Sequence, residues 1–296
     1  MTLSALTGLS LDRLSSFLQI ADAGGLARAA PGEPVRQSQL SRQLKDLETA
    51  LGQPLFLRTG RGMELTSAGR SLARVVRELG QGLTDVATAK QGPVQVSIGA
   101  GDSVLQWLVL PTLPALTAAL KGVQLDLGAL GADGVVTALQ EHRIDLGLLR
   151  SSEAAGELKT VRLGVVSYAL FSAVGRGKLP LAVPTTERGL ERSLQTLGHA
   201  SLRCETFPQV AQAVRTGAYA GVLPTFARSQ LPAAHFRMTS SPALDAAATP
   251  LLLAWRARTL ELRPQVKLLR RVLEQVLRPL LSDAANASSG SARASR

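Results

Sequence analysis

Residues 36–48 read Arg-Gln-Ser-Gln-Leu-Ser-Arg-Gln-Leu-Lys-Asp-Leu-Glu. Within and just beyond this stretch, Leu40, Leu44, Leu47 and Leu51 recur at i, i+4, i+7 and i+11, the apolar stripe of an amphipathic helix. Gly52 follows where a helix needs its left-handed terminal residue. The spacing predicts a helix from about Gln37 to Leu51. Its other face carries Arg36, Gln37, Ser38, Gln39, Ser41, Arg42 and Lys45, with no acid before Asp46. Arg and Gln form bidentate bonds to guanine and adenine edges. Ser and Lys suit phosphate oxygens. A solvated helix face would have a similar composition, so the neighbouring sequence has to decide between the two readings.

Upstream, Ser10 is a candidate N-cap, and Leu11, Leu14, Phe17, Leu18 and Ala21 form one helical face ending at Gly24-Gly25. A short second helix is expected from Leu26 to Ala30, closed by Pro31-Gly32, with Pro34 preventing immediate re-entry. Downstream, Leu55–Thr59, the turn 60–62 and Met63–Leu65 read as a small basic hairpin. Its Arg58 and Arg61 are placed to follow a phosphate backbone or enter a minor groove. Three helices and a wing, with the polar helix third, predict a winged helix-turn-helix over residues 1–65. In such modules the third helix presents its N-terminal residues to the bases.

Phe17, Ala29-Ala30, Gln37, Ser41-Arg42-Gln43, Leu47-Glu48, Gly52, Pro54-Leu55-Phe56, Arg58, Leu65-Thr66 and Gly69 together resemble the LysR-type transcriptional regulators across residues 11–70. The resemblance implies dimerisation through the helix after the wing and a periplasmic-binding-protein-like effector domain downstream. It also implies a tetramer of two dimers that bends DNA. Gly25, Glu33 and Arg36 stand where the family commonly has Ser, Leu and Ser.

Thr66 can cap a helix running to about Ala89, in which Leu72, Leu79 and Val86, and also Val76 and Leu83, are seven apart. This heptad seam makes 66–92 a candidate dimerisation linker, although packing against its own domain is an alternative. Gln91-Gly92-Pro93 marks the boundary.

Beyond it, strand 94–98, helix 104–120, strand 124–130, helix 134–141 and strand 144–149 alternate, predicting an α/β effector domain of two lobes over 93–281. Ligands in open parallel sheets bind outside the carboxyl ends of the strands, which singles out Asp102, Ser103, Asp133 and Arg150. By the resemblance, His142–Gly147 matches a loop-into-strand signature in which Gly is common at position 142. The resemblance also puts Ser103 where an acidic or small polar effector is bound, and has Thr206, Phe207 and Pro224 line the cleft between lobes. Leu202–Phe207 is expected as a strand, Pro208–Thr216 as a helix and 263–281 as a final helix. Between Leu179 and Arg203 only one strand and one helix are legible, so the second lobe is expected to be short. That final helix carries the cations Lys267, Arg270, Arg271 and Arg278, expected as a solvated face, with a position near DNA in an assembled oligomer as the alternative. The Ser/Ala-rich stretch 282–296 is expected to be a disordered tail.

The whole chain of 296 residues carries +11, but residues 1–92 hold only +3 of it, so bulk charge is weak evidence for nucleic acid. No stretch reads as a signal peptide or membrane span, and the lone Cys204 excludes an internal disulfide. A cytoplasmic protein with no membrane partner is expected.

His142, His199 and His235 fall in no metal-ligand spacing, so neither metal nor cofactor is expected. Gly175-Arg176-Gly177-Lys178 fails as a phosphate loop at Ser172 and Leu179. No catalytic residue is expected. The expected partners are a double-stranded DNA operator, a second copy of the chain and a small-molecule effector; RNA polymerase is a further candidate. An architectural DNA-binding protein and an enzyme fused to a DNA-binding module are the rival classes.

Overall fold

The computed structural model describes residues 9–59, 62–88, 93–154, 158–185 and 190–291. The chain divides into two compact units, Met1–Gln91 with Glu141–Arg143, and Gly92–Gln140 with Ile144–Arg296.

The first unit holds α1 (Leu11–Ala23), α2 (Leu26–Ala29), α3 (Pro34–Leu51), the hairpin β1 (Phe56–Thr59) and β2 (Gly62–Leu65), and α4 (Ser67–Thr88). Ser10 Oγ accepts from the Arg13 N–H at 3.2 Å and starts α1, which Gly24 ends at φ 67°. The leucine stripe of α3 is buried at Leu40, Leu44 and Leu47 against Phe17 and Ile20 of α1. The Phe17 and Phe56 rings meet at 5.6 Å, joining wing to core. The Glu48 carboxylate accepts from the Leu55 N–H at 2.7 Å, which fixes the exit from α3. Thr66 caps α4, accepting from the Gly69 N–H at 3.0 Å and donating to the Pro54 carbonyl at 2.9 Å. Gly69 is obligatory there, because a Cβ would lie 2.1 Å from the Leu55 carbonyl oxygen.

Two expectations in this unit need correcting. Pro34 does not delay α3; it opens it, because the first helical position needs no N–H donor and proline's φ is already helical. The expected seam on α4 is also divided. Val76 is buried in its own domain, and the exposed apolar row is Val75, Leu79 and Leu83. The side chain of Val86 lies outside the described residues.

The second unit has two five-stranded sheets. In the first, β4 (Val123–Ala129), β3 (Val94–Ala100) and β5 (Leu146–Arg150) are parallel neighbours. β12 (Thr249–Arg256) then pairs antiparallel with β5 and with β6 (Leu158–Val166). The second sheet runs β11 (Phe236–Thr239), β7 (Tyr168–Ala173), β10 (Ala220–Pro224), β8 (Leu181–Pro184), β9 (Ala200–Cys204). β10, β8 and β9 are parallel, and β7 is antiparallel to β10 and β11. The chain passes between lobes twice, at β6 to β7 and on return to β12. Between Leu179 and Arg203 the described residues of the second lobe hold one strand, β8, one helix, at 191–197, and the start of β9, in line with the one strand and one helix read there.

The expected helix 104–120 is broken into α5 (Asp102–Val104), a π turn (Leu105–Val109), a 3₁₀ turn (Leu110–Thr112) and α6 (Leu113–Ala119). Pro111 and Pro114 withhold the N–H groups that one continuous ladder needs. Helices α7 (Ala132–Gln140), α8 (Glu191–Leu197), α9 (Phe207–Arg215), α10 (Pro242–Asp245), α11 (Thr259–Leu262) and α12 (Pro264–Ser291) complete the unit. Helix α12 continues ten residues into the segment expected to be disordered. Its alanines there have the highest intrinsic helix propensity.

Asp145 and Arg263 form a buried ion pair beneath the first sheet. The second Asp145 oxygen accepts from the Ser97 N–H at 2.9 Å and hydroxyl at 3.0 Å. Just before it, His142 adopts φ 59°, the left-handed conformation that glycine takes at low cost. On α12, Arg270 lies 5.0 Å over the Trp255 ring and pairs with Glu274, which also pairs with Arg278. Two of the four cations on that face are therefore engaged within the unit.

Candidate nucleic-acid interface and ligand cavity

Helix α3 sorts its polar residues into two groups. Ser38, Gln39, Ser41, Arg42 and Lys45 are exposed. Arg36 and Gln37 are half-buried and held inward: Gln37 Nε2 donates to the Ala30 carbonyl at 2.8 Å, and Arg36 donates to Gln19 Oε1 at 3.2 Å and Gln39 Oε1 at 3.0 Å. Both were expected among the DNA-facing residues; here their hydrogen bonds tie α3 to α1 and α2. Arg42 Nε reaches only its own helix, the Ser38 carbonyl at 3.5 Å, which leaves its terminal nitrogens directed outward. Asp46, the first acid on this face, is paired with Arg13 at 3.1 Å. Arg58 is exposed on β1, opposite Met63. Arg61 lies outside the described residues.

In the second unit a cavity of about 220 Å³ opens between the lobes. It lies at the carboxyl ends of parallel strands from both sheets, as such folds dictate. Asp102 and Ser103 follow β3, Arg150 ends β5, Pro224 ends β10, and Thr206 and Phe207 start α9; all six line the cavity. Asp133, the seventh expected residue, sits exposed in the first turn of α7 and is not part of the lining. A cavity of about 150 Å³ accommodates benzene, so this one suits a small metabolite.

Thr206 is not the end of a strand, as expected, but the N-cap of α9. Its hydroxyl accepts from the Gln209 N–H at 3.4 Å, while Gln209 Oε1 accepts from the Thr206 N–H at 3.2 Å. This capping box turns the chain so that Phe207 faces the cavity. There Phe207 stacks on Tyr168 at 5.8 Å and 27°.

Glu153, Tyr168, Pro184 and Phe226 also line the cavity and were not singled out from sequence. Glu153 takes Arg150 Nε on Oε1 at 2.6 Å, and its Oε2 accepts from the Arg150 backbone N–H at 2.9 Å. The sequence held one signal for this, a carboxylate three residues after a strand-end arginine. Nothing in the sequence connected Tyr168 to Arg150, whose guanidinium Nη1 lies 3.5 Å from the Tyr168 hydroxyl. Burial pushes the Tyr168 phenol up to about 12; Arg150 partly opposes the rise and Glu153 adds to it. The wall thus presents a neutral phenol, a guanidinium already balanced by Glu153, and the exposed carboxylate of Asp102.

Among the described residues no group of three or more His, Cys, Asp or Glu is placed to hold a metal ion. No helix there is long and apolar enough to cross a membrane. Cys204 ends β9, and burial raises its thiol pKa.

Two family descriptions match this chain. Residues 11–70 match the bacterial regulatory helix-turn-helix protein, lysR family, and residues 90–278 match the LysR substrate binding domain. The HTH-type transcriptional regulator DgdR of Burkholderia cepacia is 30% identical over 183 residues, which cover 59% of this chain and 62% of that protein. The chain spans about half to three-fifths of the length of the curated relatives it matches. Among solved structures, a point variant of full-length OxyR from Pseudomonas aeruginosa aligns with a TM-score of 0.67 at 18% identity, covering 92% of this chain and 97% of that one. Full-length LysG from Corynebacterium glutamicum, with arginine bound as effector, aligns with a TM-score of 0.61 at 19% identity, covering 92% and 100%. At these identities the likeness establishes the fold.

Proposed function

The chain belongs to the LysR family of bacterial helix-turn-helix regulators, and from that membership we propose that it is a sequence-specific DNA-binding transcriptional regulator controlled by a small molecule held between its two lobes. The observation that carries the DNA reading is the outward face of α3. Ser38, Gln39, Ser41, Arg42 and Lys45 are exposed along the first half of the third helix, with no acid among them, and Asp46, which follows, is paired with Arg13. Base reading falls to Gln39 and Arg42, phosphate contact to Ser38, Ser41, Lys45 and the wing residue Arg58.

The effector reading rests on the cavity lined by Asp102, Ser103, Arg150, Thr206, Phe207 and Pro224. A ligand there touches both lobes. It shifts the protein between arrangements only by its differential affinity for them. The exposed row Val75, Leu79 and Leu83 on α4 supports pairing with a second copy, and an inverted-repeat operator follows from a two-fold dimer. A homotetramer, a cytoplasmic location and contact with RNA polymerase complete the reading. The protein acts by binding, without turnover.

The test is fluorescence anisotropy of the purified protein on the DNA upstream of its own gene, against a scrambled duplex at two salt concentrations. A preference of about a thousandfold at physiological salt is the expected outcome. Equal, steeply salt-dependent binding to this duplex and to duplexes selected from a random pool would instead mark an architectural binder.

A further inference from the structure

Val35 is 82% exposed, although its side chain is wholly hydrocarbon. It is the second residue of α3, and its exposure follows from where that helix starts. With Pro34 as the first helical residue, Val35 enters the first turn instead of the preceding loop. The polar residues of that turn are pinned toward the protein, Gln37 on the Ala30 carbonyl and Arg36 on Gln19 and Gln39. Pro34 and Val35 are therefore the side chains that the first turn offers outward, and Val35 is the one on the face of Ser38, Gln39 and Arg42.

Val35, Ser38, Gln39 and Arg42 stand at i, i+3, i+4 and i+7 on one face, and Ser38, Gln39 and Arg42 are exposed with it. Homeodomains, which also read DNA with a third helix, contact the major groove through residues at this same spacing. Seven residues of helix rise span about 10 Å, or about three base steps. The face thus offers a hydrocarbon tip, a hydroxyl and amide in the middle, and a guanidinium at the far end. In the major groove one standard base presents a matching apolar group, thymine with its C5-methyl.

We propose that Val35 is a specificity-determining residue that packs on a thymine C5-methyl, about three base pairs from the base read by Arg42. The inference rests on the reading that α3 enters the major groove.

The test uses the full-length protein and duplexes enriched by it from a random pool. Each thymine is replaced in turn by deoxyuridine, which removes only the methyl, and binding is measured by anisotropy for the wild type, Val35→Ala, Gln39→Ala and Arg42→Ala. Loss of one buried methyl contact is expected to weaken wild-type binding about three- to fivefold at one thymine in each half-site. Val35→Ala is expected to bind the thymine duplex correspondingly more weakly and to ignore that same replacement. Its circular dichroism melting curve should match the wild type, since the side chain is exposed. A wild type indifferent to every replacement, an enriched site with no thymine in reach, or a Val35→Ala protein that keeps the uracil penalty would overturn the inference while Arg42→Ala still lost affinity. If no sequence is enriched, or if Gln39→Ala and Arg42→Ala bind as the wild type does, the α3 reading fails and takes this inference with it.

Discussion

Glu153 holds Arg150 at two points, taking the guanidinium Nε at 2.6 Å and the backbone N–H at 2.9 Å, inside the cavity between the lobes. An arginine at the end of a central strand would ordinarily draw an anionic ligand. Here its charge is already balanced, and the remaining formal charge on the wall is that of Asp102. The electrostatics of the cavity therefore disfavour a simple carboxylate.

Replacing Glu153 with Gln should release the guanidinium to the cavity and reverse that preference. Affinity for a small monocarboxylate such as benzoate is expected to rise about tenfold, in line with one charge-assisted bidentate contact. Isothermal titration of both proteins would measure it. An unchanged or weakened affinity would mean that Arg150 remains sequestered by other partners.

Tyr168 makes stability depend on alkaline pH. Its phenol is pushed up to about 12 in the folded protein, against 10.0 for an ordinary tyrosine, so between those values the folded state keeps a proton that the unfolded state releases. Stability is therefore lost as pH rises through this window. The difference between wild type and Tyr168→Phe should shift against the wild type by about 2 kcal/mol from pH 10 to 12. Urea midpoints at the two pH values would reveal it, the other titrating groups cancelling in the comparison.

Asp145→Ala leaves Arg263 buried without its carboxylate and strips Ser97 of its acceptor. Truncating one member of a buried pair costs about 3–5 kcal/mol. Equilibrium denaturation should show that loss. A near-neutral result would mean that water or a backbone carbonyl replaces the carboxylate.

Gly69→Ala brings a Cβ to within 2.1 Å of the Leu55 carbonyl oxygen, so either α4 or the chain leading into the wing must move. Overpacking of this kind costs about 1–3 kcal/mol. Thermal denaturation of residues 1–91 within the intact chain, followed by hydrogen exchange of α1 and α3 amides, would localise the loss.

Arg42→Ala should lose about 1–3 kcal/mol of operator affinity and relax preference at one base position. Arg36→Ala should instead lower stability, because that guanidinium bonds Gln19 and Gln39. Selection from a random pool separates the two, since only the Arg42 variant is expected to return an altered consensus.

The helix-turn-helix was legible because each element declares itself through residues three and four apart. The Leu40–Leu51 stripe, the Ser10 cap and Gly24 and Gly52 at helix ends are all local signals. The same locality explains the misreadings. Pro34 reads equally as a barrier or as a first helical residue, and only the packing of α3 on α1 and α2 decides between them. Residues 104–120 keep a helical apolar pattern although Pro111 and Pro114 divide the backbone into four segments. For Thr206, the capping box with Gln209 was present in the sequence and outweighed the strand pattern before it.

The amino-acid sequence by itself determined the order of elements, the family resemblance and the polar face of α3, since these depend on side-chain type at short, regular spacing. Only the tertiary structure decided which of those polar residues face outward, because Arg36 and Gln37 are taken by partners on other helices. It alone joined Arg150, Glu153, Tyr168 and Phe207, which lie on two lobes brought together by a chain that crosses between them twice. Those contacts depend on closure over long sequence separations, and no periodicity within one element encodes them.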